Sequence, residues 1–119
     1  MGLIMKDEQI TKLFSKWQTR LKLDHWDVKL KIVNSSELPD GAGADVTYDY
    51  KYLFSTIRLA RDSAGGNPVH KIDLALRIIH ELIHLHLSGI DIIVGTPEHL
   101  VEEQAAQILS RVIFEGYEK

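Results

Sequence analysis

Cysteine is absent from all 119 residues, which excludes disulfide staples and any cysteine-ligated metal centre. That composition suits the reducing interior of a cell, so a cytoplasmic location is expected. A basic excess is missing too. The 14 Lys and Arg are outnumbered by 17 Asp and Glu, and a net charge of -3 argues against a partner such as nucleic acid. No apolar run reaches membrane-spanning length without a charge, the longest being interrupted by Arg77 and Glu81, so no membrane partner is expected. The first seven residues lack the basic segment and long apolar stretch of an export signal. What remains is 45% apolar and 26% charged, the balance of an ordinary globular protein, read as one domain over 1–119 with no repeat or low-complexity tract.

Periodicity along the chain points to an α+β fold. Asp7 and Glu8 favour a helix start, and Ile10, Leu13, Phe14, Trp17 and Leu21 follow at helical spacing. Trp26, Val28, Leu30 and Ile32 alternate with charged residues, as in a half-buried strand. Turn chemistry over 34–41 precedes a second alternating segment, Ala44 to Tyr50, and a third strand covers 52–60. The short link between the last two predicts an antiparallel meander, giving a three-stranded, largely antiparallel sheet. After a Gly- and Pro-containing loop comes a helix from residue 71 or 73 to Ser88, with Gly89 placed to end it. The apolar segment from Ile90 to Gly95 is expected to pack back onto the core. Thr96-Pro97 then opens a last helix whose expected core face is Val101, Ala105, Ile108, Leu109 and Val112.

Chemistry concentrates in His80-Glu81-Leu82-Ile83-His84. Residues four apart on a helix lie nearly one above the other, so both imidazoles face the same way. Two neutral imidazoles can chelate one Zn²⁺, and the Glu can accept a proton from a water beside it. At about 100° per residue, Asp73, Arg77, His80, Glu81, His84 and Ser88 share one stripe about a quarter of the circumference wide. Nearly everything else on this helix is Leu, Ile or Ala, which marks a buried central helix. Its polar stripe must face a cleft, a metal, or groups that satisfy it. The bland alternative is a buried His pair bonded to carbonyls and carboxylates. The register of two His and a Glu favours the metal.

At these residues the chain resembles the minimal gluzincin-type metallopeptidases carrying His-Glu-x-x-His, many of them encoded by phages and prophages. The resemblance rests on Trp26-Asp27-Val28-Lys29-Leu30, Ile57-Arg58-Leu59, the His80–His84 motif and Glu98-His99-Leu100-Val101-Glu102, and only the motif is specific. It implies a zincin-like minimal domain with zinc on His80 and His84, Glu81 as general base and a last-helix Glu as third metal ligand. It also implies a sheet edge beside the cleft where an extended peptide could add as a strand. Leu87 and Ile90 stand where a metzincin needs Gly and His, which excludes that class. The chain is also similar to SprT-like metallopeptidases, in which a later His is the third ligand; His99 is at a compatible distance but lacks the flanking glycine. ImmA-like phage metallopeptidases share the motif and an acidic helix, but no DNA-binding helix-turn-helix is present here.

Spacing alone leaves the third ligand open among Glu98, Glu102, Glu103 and His99. Relative to the expected apolar centre of the last helix, Glu98 lies within about 30°, Glu102 about 70° away, His99 about 130° and Glu103 about 170°. Glu98 is therefore ranked first, Glu102 second or as a residue orienting a metal-binding His, and His99 third, with Glu103 expected in solvent. A helix N-terminal carboxylate favoured by the macrodipole is the simpler reading of Glu98.

The expected function is zinc-dependent hydrolysis of a peptide or protein substrate. Tyr48, Tyr50, Tyr52, His70 and Arg77 are candidate donors to the developing oxyanion. The alternative is a non-catalytic zinc-binding interaction domain that uses the sheet edge. A domain this small leaves room for a partner protein or an oligomer to complete its cleft.

Overall fold

The computed structural model describes residues 5–39, 42–63, 67–88 and 97–118, without the side chains of residues 68 and 98. The described chain is α+β: helix α1 (Asp7–Arg20), strands β1 (Asp27–Val33), β2 (Ala44–Asp49) and β3 (Phe54–Ala60), helix α2 (Lys71–Leu87) and helix α3 (Pro97–Glu118). A 3-10 turn at Ser35–Glu37 and a two-residue hairpin, β4 (Asp62–Ser63) with β5 (Asn67–Pro68), fill the connections. No described helix is long and apolar enough to cross a membrane. The expected roles of Gly89, the 90–95 segment and Thr96 lie outside the described residues.

Helix α1 forms where its period predicts, burying Ile10, Leu13, Phe14 and Trp17. Helix α2 starts after His70, whose Nδ1 accepts the Ile72 N–H at 3.1 Å and so satisfies one of the helix's orphan donors. It buries Leu74, Ala75, Ile78, Ile79, Leu82, Ile83 and Leu85 between α1, α3 and the sheet. Full burial of one Ile or Leu is worth roughly 1.5–3 kcal/mol, so α2 is the main organiser of the core.

The sheet is mixed, and here the sequence expectation needs correction. Strands β2 and β3 do form the expected antiparallel pair, but the order is β1-β3-β2 and β1 lies parallel to β3, so the sheet is neither a meander nor largely antiparallel. The reason lies in burial. Ser55, Ile57, Leu59 and Ala60 make β3 the most enclosed strand, whereas Tyr48 and the rest of the second half of β2 are exposed. The central place, with both edges hydrogen-bonded, therefore goes to β3. Strand β2 becomes an edge, and its first residues face α2 across an open cleft.

Helix α3 supplies the second correction. Its expected core face points away from the protein: Val101, Ile108 and Val112 are each at least 60% exposed, and Leu109 is exposed too. The inward face carries Ala106, Ser110, Ile113 and Phe114. Phe114 and Tyr117 pack against Trp17 at ring-centroid distances of 6.1 and 5.5 Å, the latter edge-on. Arg20 lies over both the Trp17 and Tyr117 rings and pairs with Glu118. Trp17 is fully buried beneath these contacts, so the packing of two aromatics around it competes with covering the aliphatic residues of the other face.

Candidate metal centre

The polar stripe of α2 lines a cleft of about 920 Å³ between this helix, β2 and α3. Asp73, Arg77, His80, Glu81 and His84 all contribute to its wall, as the helical spacing predicts. Ser88, at the end of the same stripe, is buried and donates to the Leu85 carbonyl at 2.6 Å. The metal-ligating atoms of His80, Glu81 and His84 all lie within 4.8 Å of one another.

Two carboxylates from α3 complete the group. Glu102 Oε1 is 2.7 Å from His84 Nδ1. A carboxylate only accepts, so a neutral His84 that donates from Nδ1 to Glu102 turns its Nε2 lone pair into the cleft. There Nε2 sits 3.3 Å from His80 Nε2 and 3.0 Å from Glu103 Oε1, while Glu103 Oε2 is 3.2 Å from His80 Nε2. Burial lowers the His80 pKa, with the neighbouring His84 acting in the same direction against Glu103, and this favours a neutral ring. Two imidazole nitrogens and a carboxylate thus converge with more lone pairs than protons, an arrangement that a shared cation relieves.

The donor set fits zinc in type: two imidazole nitrogens with carboxylate oxygens beside them.

Glu81 is placed differently from the other carboxylates. It is only 7% exposed, and its Oε2 has no hydrogen-bond partner among the described residues. Burial pushes its pKa up to about 7, against the lowering influence of His84. A buried carboxyl with an idle oxygen beside a chelating pair is suited to exchanging a proton near neutrality.

Among the described residues, Glu103 is the α3 carboxylate that reaches both imidazoles. Glu103, expected in solvent, touches both imidazoles, because α3 is rotated away from the face its aliphatic residues suggest. Glu102 sits where the sequence reading allowed it, holding His84. Glu98 begins α3, but its side chain lies outside the described residues. His99 lines the cleft with Nε2 3.9 Å from Glu103 Oε1. A usable signal was present: His99, Glu103 and Gln107 recur every four residues beside Glu102 and Ser110, a polar stripe like that of α2. Of the candidate oxyanion donors, Tyr48, His70 and Arg77 line the cleft, whereas Tyr50 and Tyr52 are exposed at the β2–β3 turn.

Compared with family models, curated proteins and solved structures, the chain matches none of them.

Proposed function

We propose that the protein is a zinc-dependent peptide hydrolase of zincin-like design, with His80, His84 and Glu103 as metal ligands. The observation that carries this reading is the convergence of His80 Nε2, His84 Nε2 and the Glu103 carboxylate beside the unpartnered Glu81 Oε2. Bound zinc would supply a Lewis acid for the scissile carbonyl and lower the pKa of a water at the site.

The chain's own residues account for the rest. Glu102 holds the His84 ring in the tautomer that keeps Nε2 free to ligate. Glu81 Oε2 accepts the proton of the attacking water and later delivers it to the leaving amine, and its buried setting keeps this oxygen uncommitted until then. The open edge of β2 runs along the cleft, so an extended peptide can pair with its backbone and lay a peptide bond across the His80–His84 face.

A non-catalytic zinc domain that binds partners at this edge would have no use for Glu81. Desolvating a carboxyl without a partner costs stability, which a structural site gains nothing by accepting. One experiment separates the two. The zinc content of the purified protein is measured by mass spectrometry, alongside hydrolysis of a quenched-fluorescence peptide library. Glu81→Gln should retain zinc and lose hydrolysis. Absence of zinc, or hydrolysis untouched by Glu81→Gln, overturns the mechanism.

A further inference from the structure

Arg77 is the one strong cation in the wall of α2, and its surroundings are unusual for a merely structural arginine. It sits one turn before His80 on the same face, which puts the two Cβ atoms about 5–6 Å apart. The guanidinium is half-buried. Its Nη1 donates to the Ala60 carbonyl at 3.1 Å and reaches the Asp62 carbonyl at 3.4 Å. It also lies close against the backbone at Gly43, just before β2. A Cβ at Gly43 would lie 2.5 Å from Nε and 2.7 Å from Cζ, so only glycine leaves the guanidinium its place.

These contacts aim the group, and none of those made by described residues neutralises it. No carboxylate of a described residue lies at ion-pair distance from Arg77. Asp73 and Asp62 act on it only from farther away, and burial lowers its pKa. Among the described residues only Nη1 is engaged, by neutral carbonyls, which leaves the Nη2 donors of a partly desolvated guanidinium for a ligand, and the geometry of those donors matches a carboxylate.

The position along β2 says which part of a ligand would meet it. The start of β2 adjoins Arg77, whereas Tyr48, near its end, is close enough to Glu102 to feel its charge. A peptide adding antiparallel to this edge would begin near Tyr48, cross the His80–His84 face and finish beside Arg77. We propose that Arg77 is a specificity-determining residue that binds a carboxylate on the C-terminal side of the scissile bond. The carboxylate is either an acidic side chain or the peptide's own terminus. This inference takes its scissile bond from the hydrolase reading above, but the binding it describes is measurable without turnover.

The test uses zinc-loaded full-length protein with Glu81→Gln, so that peptides bind without being consumed. The probes are N-acetylated Ala-Ala-Tyr-Ala-Ala-Ala as free acid, the same peptide as C-terminal amide, and amides with Asp in the fifth or the second place. Calorimetry should show the free acid, the fifth-place Asp peptide, or both, binding about tenfold tighter than the neutral amide, as a charged hydrogen-bonded pair implies. The second-place Asp peptide should show no such gain. Adding Arg77→Gln should bring the acid-to-amide ratio close to one, and Arg77→Lys should restore part of it. Equal affinity for acid and amide, a ratio that survives Arg77→Gln, a gain only from second-place Asp, or no binding of any probe overturns the proposal. If Arg77→Gln fails to fold, the ratios in the Arg77 background still decide. Wild-type protein that binds with this preference and cleaves nothing would sink the hydrolase reading and leave the Arg77 site standing.

Discussion

Helices α2 and α3 face each other across the cleft and supply the five carboxylates and imidazoles of the candidate centre, but they relate to their sequences in opposite ways. In α2 the polar stripe is narrow and nearly everything around it is apolar, so one rotation of the helix buries the apolar residues and opens His80, Glu81 and His84 to the cleft. Helix α3 has two faces that could go inward. The more aliphatic one, with Val101, Ile108 and Val112, is outside, while the face bearing Glu102, Glu103 and Ser110 is inside. A helix is oriented by the total free energy of its contacts, and for α3 these include two aromatics on Trp17 and two carboxylates on imidazoles. Hydrophobic periodicity counts neither.

Substitutions on the two helices can break this contrast. The largest effect is expected at the centre of α2, where Leu82→Ala should cost about 2–5 kcal/mol, read from chemical denaturation. Next comes Glu103→Ala. If Glu103 is a ligand, competition with a chromophoric chelator should show zinc affinity falling by more than the roughly hundredfold that loss of an outer hydrogen-bond partner can produce. Unchanged affinity there would return the choice to Glu98. Glu102→Gln should be milder, lowering zinc affinity about 10–100-fold, because it loosens His84 without removing a donor from the ion. The smallest effect is expected outside. Ile108→Lys should change stability by no more than about 0.5 kcal/mol in the same denaturation assay, and a loss of several kcal/mol would mean that this face is covered after all.

Much of the candidate site was legible in advance because it is local. The His80–His84 register and the stripe that they and Glu81 share with Asp73 and Arg77 follow from one helix and its immediate pattern. Glu103 was not legible, since its role depends on which way a second helix turns. The sheet divides the same way. The β2–β3 hairpin joins neighbours through a short turn, in which Asp49 Oδ1 accepts the Lys51 and Tyr52 N–H groups, and such a pairing shows in the sequence. The parallel pairing of β1 with β3 spans the whole of β2 and leaves no local trace.

By itself, then, the amino-acid sequence determined where the three helices and the three strands of the main sheet lie, which helix is central, and which two imidazoles and carboxyl share a face. These are properties of period and propensity within a dozen or so residues. Only the tertiary structure decided that β3 takes the middle of the sheet, that β2 is left as an edge along the cleft, and that α3 offers Glu102 and Glu103 rather than its aliphatic stripe. Each rests on contacts between residues far apart in the chain: β1 with β3 in the sheet, and, for α3, Trp17 with Phe114 and Tyr117 and His80 and His84 with the two carboxylates.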